Sequence, residues 1–265
     1  PRAARHHRVA ERPAAMTGPL RVLVVDDEQV ILDSARKILG LDLQVLTAPD
    51  AEAASRMLSS EAPDIVISDL VLPGASGMKL LETALEHDPG LVIILTTGFS
   101  TVENAVAALK HGAFDFLPKP FTCDELLSSV ARARRAVELR LTLGARASHR
   151  GDFHLGVQTW ARPERDGTVL LGVTDLELQT LDRIERVELP EPGAELRQGG
   201  RLLTVLTADG LAHGLWSPLS GRVLSCNDLL RDQPESLRDA RNGARWVVRI
   251  HPADLDGELP NLIES

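Results

Sequence analysis

The first half of the chain alternates short apolar runs with stretches of helical period. Arg21–Val25 is a β-branched run of strand length, and the segment after it carries apolar residues at Val30, Ile31, Ala35, Ile38 and Leu39 before stopping at Gly40. The spacing predicts a strand followed by a helix. The same alternation predicts strands near 43–47, 64–68, 91–95 and 114–117, with helices near 50–59, 77–86, 101–110 and 122–143. Repeated units of this kind predict a doubly wound α/β domain over 20–143, a five-stranded parallel sheet with helices on both faces. The last helix opens on a capping box, Thr122 with Glu125, and its apolar stripe runs from Leu126 to Leu141, further than the sheet requires. Its Arg132, Arg134, Arg135 and Arg140 predict a dimer contact or a solvated basic face.

Gly144–Gly151 reads as a link, placing the domain connection at 144–152. From about 153 the helical period fades. Strand-like runs appear at Thr168–Val173, Arg186–Leu189, Leu202–Leu206, Gly221–Leu224 and Trp246–Ile250, separated by turn signals such as Asp166-Gly167, Pro192-Gly193, Asp209-Gly210 and Ser220-Gly221. They predict a small all-β sandwich or barrel over 153–265. Residues 1–19 carry arginines and histidines without an apolar core, so they are expected to be disordered and not a signal peptide, with Met16 a candidate start.

Composition narrows the function classes. The 265 residues carry 38 acidic and 29 basic side chains for a net charge of −9, and residues 151–265 alone are acidic, with 19 against 12. Such a surface repels nucleic acid and anionic lipid, so no direct nucleic-acid partner is expected. No run is long enough to span a bilayer, so no membrane association is expected. Cys123 and Cys226 fit no metal or redox pattern, which points to a reducing cytoplasm. The only lysines are Lys37, Lys79, Lys110 and Lys119.

In a parallel sheet the strand carboxyl ends meet at one edge, where chemistry sits. The ends predicted here carry Asp26 and Asp27, then Asp69, then Thr96 and Thr97, and then Lys119. Any one Asp at a strand end is usually a turn residue. Together, crowded carboxylates need a cation among them, and Asp26, Asp27 and Asp69 suit Mg²⁺, which takes oxygen ligands and bridges to phosphate. A hydroxyl and an ammonium beside them suit phosphoryl transfer. Thr96 competes with Thr97 for the hydroxyl position; counting back from Gly112 favours Thr97.

These residues, with Pro73 and Gly77 behind Asp69, Thr97-Gly98, and the run Gly112-Ala113-Phe114-Asp115-Phe116-Leu117-Pro118-Lys119-Pro120, resemble the flavodoxin-like receiver domain of bacterial two-component response regulators. The resemblance implies that Asp69 is the phosphoacceptor for a histidine kinase. It also implies that Asp27, Asp69 and the Val71 carbonyl ligate Mg²⁺, with Asp26 reaching it through water. Thr97 and Phe116 would be the switch pair, and Lys119–Pro120 a cis peptide. Val71 and Phe99 are apolar where they would flank the phosphoryl group, so slow self-dephosphorylation is expected. A homodimer contact through helix 101–110, strand 114–117 and helix 122–143 is a further expectation.

The second half resembles the glycine cleavage system H protein, a lipoyl carrier of the barrel-sandwich class. The likeness rests on Leu171-Gly172-Val173-Thr174-Asp175, Val187 to Gly193, Trp216-Ser217-Pro218-Leu219-Ser220-Gly221, Asn227 with Asp232, Pro234 and Glu235, and Gly243 to Ile250. In that family a lysine eight residues before the Ser-Pro proline carries lipoate; here that position is Gly210. Glycine has no amine and no lysine follows Lys119, so no lipoate is expected. His213 is expected at the surface and Cys226 in the core.

Taken together, the expectation is a response regulator that catalyses at most its own phosphorylation and dephosphorylation, with a protein-binding β-domain of unknown partner as output. Regulation of transcription through a DNA-binding partner, and regulation of lipoyl or glycine cleavage metabolism, are the alternatives. No basic helix pair follows residue 151, which disfavours DNA binding by the chain itself.

Overall fold

The computed structural model describes residues 18–74, 76–98, 102–139, 151–239 and 246–265. The expected disorder of the N-terminal extension, Phe99, the last turn of helix 122–143 and most of the link fall outside these residues.

The first unit runs β1 (Arg21–Val25), α1 (Gln29–Leu39), β2 (Gln44–Ala48), α2 (Ala51–Glu61), β3 (Ile65–Asp69), α3 (Gly77–His87), β4 (Val92–Thr97), α4 (Val102–Lys110), β5 (Asp115–Pro118) and α5 (Cys123–Glu138). Its sheet is parallel throughout, in the order β2-β1-β3-β4-β5. The inner strands β3 and β4 are buried on both faces, which is why they read as unbroken apolar runs. One layer of core gathers Leu23, Val66, Leu81, Leu95 and Phe116 under α2, α3 and α4. The other gathers Val22, Ile67, Ile94, Leu117 and Val130 under α1 and α5. The capping box at α5 is present: Glu125 N–H donates to the Thr122 hydroxyl and Thr122 N–H donates to the Glu125 carboxylate.

The second unit is antiparallel. It contains β6 (Phe153–Leu155), β7 (Thr159–Pro163), β8 (Val169–Val173), α6 (Asp175–Thr180), β9 (Ile184–Glu188), β10 (Glu195–Leu196), β11 (Arg201–Thr207), β12 (Ala212–Trp216), β13 (Gly221–Cys226), α7 (Leu229–Asp232), β14 (Trp246–Pro252), α8 (Leu255–Glu258) and β15 (Ile263–Glu264). A sheet of order β10-β13-β14-β8-β7-β6-β15 packs against one of order β12-β11-β9. Five of these strands coincide with the runs expected from sequence. The others were missed because they are short or mix polar with apolar residues, as His154 in β6 and His213 in β12 show.

The two units share core. Val106 and Leu109 of α4 are buried in the apolar cluster of the second unit, together with Leu155, Leu203 and Val248. Gly156 makes that approach feasible: a Cβ there would lie 3.2 Å from Leu109 Cβ, and its φ of +56° favours glycine. Lys110 Nζ donates to the Pro260 carbonyl at 2.5 Å. α5 packs against both β12 and α6.

Three expectations are corrected by this docking. The face formed by α4, β5 and α5, assigned to a homodimer contact, is covered by the chain's own second unit, because its apolar and charged groups find partners there. His213 is not at the surface; it is 1% exposed, its Nδ1 2.7 Å from the Ser128 hydroxyl of α5 and its Nε2 2.9 Å from the Thr207 hydroxyl of β11. Burial, followed by the nearby Arg132 charge, lowers its pKa to about 4, so the ring is neutral near pH 7. The basic face of α5 is likewise only partly solvated, since Arg132 is buried. Cys226 is buried as expected, and burial pushes its thiol pKa up.

Candidate functional site

The carboxyl ends of β1, β3 and β5, with β4 between β3 and β5, open onto one edge of the sheet, and a charged group stands at or just after each. Asp26 follows β1 and is buried, while Asp27 beside it is exposed. Asp69 closes β3 and is buried. Lys119 follows β5, and its Nζ lies 2.7 Å from Asp26 Oδ2 and 2.5 Å from Asp69 Oδ2. Burial alone would lower the ammonium's pKa; its hydrogen bonds and charge contacts with Asp26 and Asp69 outweigh that and hold it above the usual lysine range. The remaining carboxylate oxygens are aimed by backbone donors: Glu28 N–H donates to Asp26 Oδ1 at 3.0 Å, and Val71 N–H donates to Asp69 Oδ1 at 2.9 Å. Asp26, Asp27 and Asp69 each bring a ligand atom within 4.8 Å of the others. The donor set is all oxygen, which fits a hard divalent cation such as Mg²⁺.

Neighbouring residues frame this acidic corner. Thr97 is fully buried at the end of β4, and alternation along that strand puts it on the same face as Leu95, whose cross-strand partner is Phe116. Thr96 lies on the opposite face, in register with Asp69. Lys119 N–H donates to the Thr97 carbonyl at 2.8 Å, tying the ends of β4 and β5 together, and the Lys119–Pro120 bond is cis. Phe116 is buried at 3% exposure. Val71 is half exposed beside Asp69. Gly77 at the start of α3 presses against the acceptor loop: a Cβ there would meet the Asp69 carbonyl oxygen at 2.2 Å and Leu70 Cα at 2.8 Å. No side chain can stand at that point without moving Asp69.

A second polar cluster lies on the far side of β5, and sequence reasoning missed it. The Asp115 carboxylate is buried and accepts from Phe116 N–H, Ser129 Oγ and Arg132 Nη2 of its own unit, and from Gln158 Nε2 and Trp216 Nε1 of the second. Arg132 Nη1 reaches on to Glu177 Oε1 at 2.6 Å. Burial would lower the Arg132 pKa, but the charges of Asp115 and Glu177 more than offset it; burial holds the Glu177 carboxyl above its usual range. The sequence offered the arginines of α5 but not their partners, which lie 17 and 45 positions away from Arg132.

Gly210, the position matched to the lipoyl lysine, lies in the exposed β11–β12 turn with φ +83° and open space where a Cβ would project. The turn closes on itself: Gly210 N–H donates to the Thr207 carbonyl, and Asp209 accepts from Thr207 Oγ1 and Leu211 N–H.

Fold and acidic corner together define a class: a doubly wound α/β domain with an all-oxygen acidic corner at its strand ends, joined to an antiparallel β-domain. Family comparison makes both parts specific. Residues 22–131 match the response regulator receiver domain and residues 153–265 match the glycine cleavage H-protein. The chain thus joins a receiver domain to a domain of the glycine cleavage H-protein family. It is 40% identical over 138 residues to the C4-dicarboxylate transport transcriptional regulatory protein DctD of Pseudomonas aeruginosa, a match over 51% of this chain and only 30% of that protein. A probable glycine cleavage system H protein of Pyrococcus abyssi is 36% identical over 115 residues, 43% of this chain and 84% of that one. A solved response regulator receiver domain protein from Clostridium thermocellum has 33% identity, covers 45% of this chain and 98% of its own, and aligns with a TM-score of 0.44. Receiver domains generally bind Mg²⁺ through acidic residues of the kind clustered here. Among the described residues no helix is long and apolar enough to cross a membrane.

Proposed function

We propose that this protein is a response regulator of a two-component system that takes a phosphoryl group from a histidine kinase onto Asp69 and signals through its H-protein-like domain to a protein partner. The observation that carries the reading is Lys119 Nζ bonded at once to Asp26 and Asp69 at the meeting point of three strand ends. That contact holds a cation where the transferred group's oxygens will arrive.

In the reaction an Asp69 carboxylate oxygen attacks the phosphorus of the kinase phosphohistidine. The P–N bond breaks, its electron pair returns to the imidazole, and a mixed anhydride forms on Asp69. Lys119 moves from the carboxylate to the phosphoryl oxygens. Thr97 contributes its hydroxyl, and Phe116 on the same face repacks as Thr97 shifts. Asp26, Asp27 and Asp69, with the Val71 carbonyl, are the residues that would hold Mg²⁺, which neutralises charge developing on the phosphoryl oxygens.

The H-protein-like domain carries no lysine, and Gly210 stands at the carrier position. An amide to lipoate therefore has no amine to form on, and the domain acts as a binding module. Its acidic charge supports a protein and not a nucleic-acid ligand. Incubation of the intact chain with acetyl phosphate and Mg²⁺ is expected to add the mass of one phosphoryl group, and Asp69→Asn to abolish the addition. An unchanged mass in the wild type would overturn the reading.

A further inference from the structure

Lys119 opens a short loop that is tied at both ends. On one side Lys119 N–H donates to the Thr97 carbonyl at 2.8 Å. On the other, three residues on, Thr122 closes the capping box of α5: its N–H donates to Glu125 Oε2 at 2.9 Å, and its hydroxyl donates to the same oxygen at 3.2 Å. The second oxygen of that carboxylate, Glu125 Oε1, faces the H-like domain, where Arg201 Nη2 of β11 lies 3.5 Å away.

The Arg201 guanidinium is placed by its own domain before it meets Glu125. Its Cζ stands 5.1 Å from the centroid of the Trp216 ring, the cross-strand partner of Arg201 in β12. Gly214, two positions earlier in β12 and so on the same face, leaves the space the guanidinium fills: a Cβ there would overlap it. An arginine fork stacked on an aromatic face has few rotamers left to lose when it pairs with a carboxylate. Exposed ion pairs between mobile side chains contribute little. Here one partner is preset by Trp216 and Gly214, and the other is already committed to the helix cap.

We propose that Arg201 of the H-like domain is a positioning residue for phosphoryl transfer to Asp69: it fixes Glu125 and, through the Thr122 cap, the loop that presents Lys119. The proposal rests on the phosphoacceptor reading. Arg201 acts through Glu125 and not on the transferred group. The Lys119 ammonium has to pass from the carboxylates to the phosphoryl oxygens, and a loop anchored at both ends lets the side chain move while the backbone stays in place. The second domain thus supplies a part of the receiver's transfer machinery.

Loading of the full chain with Mg²⁺ and a series of acetyl phosphate concentrations, followed by intact mass over time, tests this. Arg201→Met is expected to lower the maximal loading rate about two- to fivefold, the range open to an exposed ion pair. The acetyl phosphate concentration at half-maximal rate should not change, because positioning acts on transfer and not on binding. Arg201→Lys, which keeps the charge, should recover part of the loss. Gly214→Ala keeps the arginine and pushes its flexible tip off Glu125, so it should slow loading to the same extent; it carries the test if Arg201→Met does not fold. Glu125→Gln retains a capping side chain and removes the charge. Alone it should match Arg201→Met, and the double variant should be no slower than either. Maximal rates equal to wild type in both Arg201→Met and Gly214→Ala, or a double variant in which the two losses multiply, would overturn the positioning role and leave the phosphoacceptor reading standing. A wild type that gains no mass would overturn that reading and the positioning role with it.

Discussion

The imidazole of His213 sits between the hydroxyls of Ser128 and Thr207, facing Arg132, Asp115 and Asp209, with its pKa lowered from 6.5 to about 4. A histidine held neutral in this way stabilises the fold fully above pH 6.5, and the contribution is lost as the pH falls toward 4, because the unfolded chain binds the proton first. His213→Gln retains a neutral donor and acceptor without the titration. Denaturant unfolding of both proteins at pH 7.5 and pH 5 should show the wild type losing about 2 kcal/mol more than the variant. Gly77 is a second residue whose role is set by distance. Gly77→Ala drives a methyl into the Asp69 carbonyl and should cost about 1–3 kcal/mol in stability. Its phosphorylation rate should fall with it, checked by the same denaturant titration and by the time course of loading.

Among the elements, α4 bears on both functions of the chain. Its one face packs Ala105 and Ala108 into the receiver core, while Val106 and Leu109 enter the core of the H-like domain. From sequence the helix could be assigned only to a contact with a second copy, because its apolar pattern does not say which partner its outer side meets. Leu109→Ala removes a side chain with no exposure from the shared core and should cost about 2–5 kcal/mol, measured by thermal unfolding. α5 behaves similarly. Its capping box and stripe were legible at the level of single residues, but the fate of Arg132 was not, because its partners Asp115 and Glu177 are 17 and 45 positions away in the chain.

At the scale of the whole molecule, the two domains are joined by a common apolar cluster and a buried charge bridge, in addition to the covalent link. A contact of that kind couples their unfolding. Differential scanning calorimetry of the unphosphorylated chain should give one cooperative transition; two separated transitions would show that the docking contributes little.

Local pattern sufficed for much of this protein. Continuous apolar runs between amphipathic helices announced the parallel sheet, since both of its faces are buried, and strand ends rich in Asp, Thr and Lys announced the acidic corner, since parallel strands must end together. The absence of lysine beyond position 119 was likewise legible without any coordinates. Tertiary structure alone decided that His213 is buried, that Arg132 bridges two domains, and that the α4–β5–α5 face is covered. Those facts depend on which surfaces meet across long stretches of chain, and neither periodicity nor residue spacing carries that information.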